Sequence, residues 1–113
     1  MNSEQFEVIF EEQVKRCRDV LFQKAQEYAT NEDRLHNFKV AAAFLQGTPE
    51  QALLGFAVKH FVSISDLVRD GELHPAAMWD EKIGDAINYL ILLRAQIIET
   101  DEAIQPSIIS VKG

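Results

Sequence analysis

Three polar residues near the C-terminal end of the chain, Glu81, Asp85 and Asn88, stand at i, i+4 and i+7. On a helix, that spacing puts their side chains on one narrow stripe. The residues around them, Ile83, Ala86, Ile87, Leu90, Ile91, Leu93, Ile97 and Ile98, fill most other directions of the same helix. A helix apolar nearly all round is expected to be buried. A buried carboxylate such as Asp85 then requires a cation, a metal ion or a proton. A second stripe lies upstream: Lys59, Ser63 and Asp66 share the same spacing, continued by Asp70, on a segment rich in Leu, Phe and Val.

If the two stripes face each other, they form a polar seam inside a helical assembly. Three chemistries fit such a seam. The faces are solvated, with Lys59 neutralising Asp66 or Asp85; or they form a buried network that fixes helix register or dimer partner; or they hold a divalent ion. Carboxylate and amide oxygens are hard ligands suited to Mg²⁺ or Mn²⁺ rather than zinc. His36, His60 and His74 are far apart and have no cysteine near them, so they make no zinc pattern. His60 falls among Phe56, Ile64 and Leu67, as a core or boundary histidine or as a ligand contact. Glu27 is a further carboxylate near the end of the first helix. Arg34 and Asn37, at i, i+3, share a face near a helix end where phosphates can be met. Trp79 reads as an anchor at the start of the last helix, with base stacking as the alternative. Cys17, the single cysteine, reads as a buried structural thiol.

Four helices must position these residues. The first is expected over residues 4–29 with Ser3 as N-cap, because Phe6, Ile9, Phe10, Val14, Cys17, Val20, Leu21, Lys24 and Tyr28 recur at three- and four-residue spacing. Thr30, Asn31, Glu32 and Asp33 then break the pattern. A second helix is expected over 34–46, capped by Asp33 or Asn31, with Gly47 taking the left-handed conformation that closes it. Thr48, Pro49 and Gln51 read as N-cap, N1 proline and capping-box glutamine of a third helix over 49–70, ended by Gly71. Pro75 precedes a fourth helix that runs to residue 98 or 99. The expected fold is all-α, a four-helix bundle-like domain over residues 1–100. Residues 101–113 form a tail, extended or packed on a neighbouring subunit.

A chain of 113 residues with 47% hydrophobic content suits one thin-cored domain, and a second copy would thicken that core. The 11 basic and 18 acidic residues give a net charge of -7, unsuited to bulk binding of nucleic acid. A phosphate substrate stays compatible, because a divalent ion bridges carboxylates and phosphates. No signal-like N-terminus or membrane-length apolar run is read, and a cytoplasmic location is the expectation.

Three stretches carry a resemblance: residues 33–38 (DRLHNF), 59–66 (KHFVSISD) and 79–89 (WDEKIGDAINY). With them the chain resembles the MazG-like all-α nucleoside triphosphate pyrophosphohydrolases, in particular a branch found in phages and nucleotide-modification gene neighbourhoods. Members hold Mg²⁺ with an ExxE and an ExxD motif on successive helices and cleave between the α- and β-phosphates. Asp85 matches the aspartate of the second motif and Asp66 the last acid of the first. Lys82 and Ser63 stand where the family has glutamates. The resemblance implies a metal-dependent protein that hydrolyses or binds a (deoxy)nucleotide, and a homodimer or tetramer is expected because the first helix and the tail carry more apolar surface than one small bundle needs. Asp66, Asp85, Glu27 and Asn88 would serve the metal, Glu81 the attacking water, and Lys59 and Lys82 the phosphate oxygens. Arg34, Asn37 and His60 would contact the nucleotide. The alternatives are a non-catalytic nucleotide- or protein-binding accessory protein of the same fold, and a structural helical oligomer.

Overall fold

Capping chemistry sets where each helix begins. In the computed structural model, which describes residues 1–28 and 33–101, with side chains for all of these except 24–28, α1 spans Ser3–Tyr28. Its cap is Asn2 rather than the expected Ser3. The Asn2 side-chain oxygen accepts from the Gln5 N–H at 2.8 Å, and the Gln5 side-chain oxygen accepts from the Asn2 N–H at 2.8 Å. This reciprocal box satisfies two donors that a helix start leaves without partners. Helix α2 spans His36–Leu45, shorter than expected. Asp33 contributes one turn earlier, accepting from the Leu35 N–H at 3.0 Å. The alternative cap, Asn31, lies outside the described residues, as does the tail from residue 102 onwards.

The α2–α3 corner corrects a second expectation. Gln46, not Gly47, takes the left-handed conformation, with φ 55°. The Gly47 N–H then donates to the Ala42 carbonyl at 3.0 Å, closing the helix in the manner of a Schellman turn. Glycine is needed at 47 for a different reason. A Cβ there would stand 2.6 Å from the side-chain oxygen of Gln51. That oxygen accepts from the Thr48 N–H at 2.9 Å, while the Thr48 hydroxyl accepts from the Gln51 N–H at 3.2 Å. The capping box of α3, Pro49–Arg69, is therefore as the sequence indicates. Gly71, with φ 70°, follows the end of α3, and α4 spans Ala76–Thr100.

The architecture is all-α, four helices with α4 at its centre. Helix α3 packs along α4 most extensively, α2 packs on α3, and α1 packs on α4. Glu50 meets Thr100, Phe56 meets Tyr89 and His60 meets Asp85, so α3 and α4 are antiparallel. Arg16 meets Asp80 and Cys17 meets Gly84, while Leu21 and Phe22 share a groove with Ile91. Helices α1 and α4 thus run in the same sense. Lys39 ties the assembly at one end by pairing with both Asp33 and Glu99.

The core is small: Cys17, Leu35, Ala42, Ala52, Leu53, Ala57 and Ala86 are the buried apolar residues among those described. Full burial of α4 was expected from its composition and does not occur. Leu90, Ile91 and Ile97 are each more than two-fifths exposed: among the described residues α4 packs along α3 and α1, and α2 adds side-chain contacts from Phe38 and Lys39. Helix α3 is, by length and composition alone, apolar enough to cross a membrane. Ala52, Leu53 and Ala57 are buried within the helical assembly, while Leu54, Val58, Phe61, Val62 and Val68 of the same helix are exposed.

Two thermal-unfolding outcomes follow from the α3 corner. Thr48→Ala removes a side-chain cap and costs about 1 kcal/mol, a few degrees in Tm. Gly47→Ala is also destabilising, because its Cβ displaces the Gln51 side chain from the box. Combining the two costs less than the sum, since both act on one cap.

Candidate functional site

Helix α4 presents its polar stripe to α1. An open groove of 350 Å³ is lined by Arg16, Asp19 and Val20 from α1 and by Ala77, Asp80, Glu81, Gly84, Asp85 and Asn88 from α4. The helices meet at Gly84, whose carbonyl lies 4.0 Å from the Cys17 sulfur; that thiol is buried as expected. Glu81 is exposed, Asp85 is half-buried and Asn88 is 5% exposed, so the stripe descends from solvent into the helical assembly.

Asn88 and, further along α4, Gln96 are the buried polar residues with unpaired side-chain atoms among those described, and of the two Asn88 lines this groove. Both its side-chain oxygen and nitrogen are buried and neither has a hydrogen-bond partner. Leaving a buried polar group unpaired costs about 1–3 kcal/mol, so native chains seldom keep one without a use. Leucine would fill a similar volume without that cost. The carboxamide lies beside Asp85 along the acidic groove, with both of its polar atoms closed to solvent.

Asp85 is held from the other side by α3. Its carboxylate lies 4.0 Å from the His60 Nδ1. The His60 ring stacks on Tyr89 at 5.0 Å and 22°, and Tyr89 stacks on Phe56 at 5.9 Å, with Phe38 meeting both edge-on. This aromatic wall fixes the His60 ring and gives Asp85 an apolar backing. Burial raises the Tyr89 hydroxyl above its ordinary range, and the Asp85 charge adds to that rise. Arg16 pairs with Asp80 at 3.3 Å and places a guanidinium at the groove.

The expected residues divide accordingly. Glu81, Asp85 and Asn88 come together, with His60 touching Asp85 from behind. Asp66 is exposed and does not line the groove, so the expected pairing of the α3 stripe with the α4 stripe is not what the helices build. The antiparallel register puts His60, not Asp66, opposite Asp85. Lys59 is also exposed and sits over the Phe56 ring, 5.6 Å from its centroid, rather than neutralising a carboxylate. Lys82 is half-buried on α4 and outside the groove lining.

Arg34 donates to the Leu21 carbonyl at 3.0 Å and lines a separate groove with Asp33, Leu35, Ile91 and Glu99. Asn37, exposed on α2, is likewise not in the α1–α4 groove. The Glu27 side chain lies outside the described residues. Trp79 meets His74 edge-on at 5.9 Å, at the start of α4 where an anchor was expected.

Sequence reasoning missed Arg16, Asp19 and Asp80. Arg16 and Asp19 are spaced i, i+3 on the flank of α1 beside its apolar stripe, but nothing in that spacing says which helix lies across from them. Among the described residues, no three His, Cys, Asp or Glu side chains are close enough to hold a metal ion by themselves. No lysine or arginine pairs with Asp85 or Glu81 within 4.0 Å among these residues.

Compared with known proteins, the chain matches no family model, no curated protein and no solved structure. What stands is the class defined by the fold: an all-α, four-helix protein.

Two outcomes test the electrostatics of the site. Asn88→Leu is neutral or stabilising by about 1 kcal/mol in thermal denaturation, because it removes two unpaired buried groups. A clear drop in Tm would mean that the carboxamide is satisfied in solution. The second is a tyrosinate absorbance titration, with Tyr89→Phe used to isolate the signal. Below pH about 10 both folded and unfolded chains keep this proton; as the pH rises further the unfolded chain ionises first, so folded stability is lost. Asp85→Asn moves Tyr89 ionisation part of the way back to the ordinary range, leaving the part due to burial.

Proposed function

We propose that the α1–α4 groove binds a phosphate-bearing nucleotide together with Mg²⁺ or Mn²⁺, and that the protein acts as a nucleotide pyrophosphohydrolase of the kind its MazG-like resemblance implies. The observation that carries the reading is Asn88, buried with an unpaired carboxamide next to Asp85 and Glu81 in an open acidic groove. The donor chemistry fits the ion. Mg²⁺ is commonly held by one or two carboxylates, with waters and substrate phosphates completing its shell, so one chain need not supply a three-acid cage. Asp85 and Asn88 would hold the metal, with Glu81 at the solvent end.

The bound ion would supply charge neutralisation and polarise the phosphate. The chain's own residues do the rest. Arg16 brings a cation to an otherwise acidic groove, where a triphosphate would be repelled. Glu81, exposed and directed to the groove, is placed to orient water. His60, fixed by Tyr89, keeps Asp85 in position. Location and assembly of this protein, expected as cytoplasmic and homo-oligomeric, are part of the same proposal.

A second reading, nucleotide binding without catalysis, is favoured by one observation. The described residues bring no third carboxylate to Asp85 and Glu81 within metal-holding distance, and Lys82 and Ser63 occupy positions that are acidic in the family.

The test is a Mn²⁺ titration with and without nucleoside triphosphates, joined to an assay for pyrophosphate release across a panel of them. Mn²⁺ alone binds weakly, and a nucleotide tightens it at least tenfold. Asp85→Asn and Asn88→Leu each abolish the tightening while the fold is kept. Release lost in Asp85→Asn establishes catalysis. Tightened binding without release from any substrate selects the second reading. No metal binding under either condition removes both.

A further inference from the structure

Among the described residues, α1 packs on α4 from about Gln13 onwards, and Arg34 reaches its Leu21 carbonyl from the segment before α2. The two helices run in the same sense, and α4 begins at Ala76, four residues before the Asp80 that meets Arg16. The first turns of α1 therefore project past the start of α4, by roughly 9 Å from the Cys17–Gly84 contact at ~1.5 Å per residue. Residues 1–12 are exposed throughout, including Phe6 at 63%, Ile9 at 47% and Phe10 at 55%. A single chain of this length has a radius of gyration of about 13 Å when compact, against 16.3 Å here.

The apolar stripe does not stop at the overhang. Phe10, Val14, Cys17, Leu21, Phe22 and Ile91 continue it as the main lining of a 420 Å³ groove on the flank of the α1–α4 crossing opposite the acidic groove. The same helix thus carries an apolar projection at one end and an apolar recess at the other. Its charges are divided in the same way. Glu4, Glu7, Glu11 and Glu12 come first and Lys15, Arg16 and Arg18 follow them, with Asp19, Lys24 and Glu27 of mixed sign beyond. At helical spacing, Glu7, Glu11 and Arg18 fall on one flank of the stripe.

We propose that this face is the contact between two copies of the chain, paired through antiparallel α1 helices about a two-fold axis near Gln13 and Val14. In that register Phe6 and Phe10 of each copy enter the recess beside Cys17 and Leu21 of the other. Glu7 and Glu11 then meet Arg18 and Lys15. An isologous pairing uses projection and recess twice, leaving neither uncovered. A parallel pairing would set acid against acid along the first half, at a cost. Exposed apolar patches of this extent mark an interface rather than a wetted surface. The pairing uses the flank of α1 away from Asp19, so it stands or falls separately from the proposed nucleotide site.

Light scattering after size exclusion reads the mass directly. The native chain gives twice 12.8 kDa. Phe6→Asp with Phe10→Asp gives a monomer. Glu7→Lys with Glu11→Lys weakens the dimer roughly tenfold, since it sets like charges against Arg18 and Lys15 in both halves of the pair. Adding Lys15→Glu and Arg18→Glu to that variant restores the dimer. A native monomer at 100 µM (on the order of a hundred times a micromolar Kd) overturns the proposal, as does a dimer that ignores all of these changes. Dissociation by Ile108→Asp with Ile109→Asp, with α1 variants still dimeric, assigns the contact to the C-terminal tail and also overturns it. Hydrogen exchange on the unaltered chain needs no variant to fold. Amides of residues 3–12 exchange more slowly as concentration rises if the helices pair, and at one rate at all concentrations if they do not.

Discussion

The position of α4 between two unlike neighbours governs the rest of the structure. One side must accept the aromatic side chains of α3, and Tyr89 does so by stacking on Phe56 and His60. The other side meets α1, with Gly84 against Cys17. The polar stripe of α4 lies between these two contacts. Asp85 therefore has α3 behind it and an open groove in front, and Asn88 lies where neither neighbour offers it a partner.

The local chemistry of the chain was readable where short-range rules decide it. Thr48, Pro49 and Gln51 announce the start of α3, because a capping box involves only residues three apart. The same rules misplaced neighbouring features where two residues compete for one role. Asn2 and Ser3 are both good caps, and Gln5 selects Asn2 because it lies three residues further on. Gly47 was read as the left-handed residue, yet Gln46 takes that conformation and the glycine serves Gln51. Periodicity cannot separate a glycine needed for its φ from one needed for its missing Cβ.

The candidate site was legible by half. Spacing put Glu81, Asp85 and Asn88 on one stripe, because that is a property of a single helix. Which helix faces the stripe is a property of the assembly. The α3 stripe of Lys59, Ser63 and Asp66 was the natural partner by analogy, but the antiparallel register brings His60 to Asp85, and α1 supplies Arg16 and Asp19. Burial was overestimated for a related reason. A helical wheel marks Leu90, Ile91, Phe6 and Phe10 as apolar without saying whether the chain or a second molecule covers them. In this chain, much of that surface is left open.

The central claim is that Asp85 and Asn88, on the floor of the α1–α4 groove, give a divalent ion its place. Paramagnetic broadening by Mn²⁺ in amide-resolved NMR spectra tests it most directly. The Asn88 side-chain NH₂ and the backbone signals of Asp19, Glu81, Gly84 and Asp85 should fade first, at low ion concentration and in the presence of a nucleotide. Fading that begins at Asp66 and Asp70, or spreads evenly over the acidic surface and leaves the Asn88 carboxamide sharp, would contradict it.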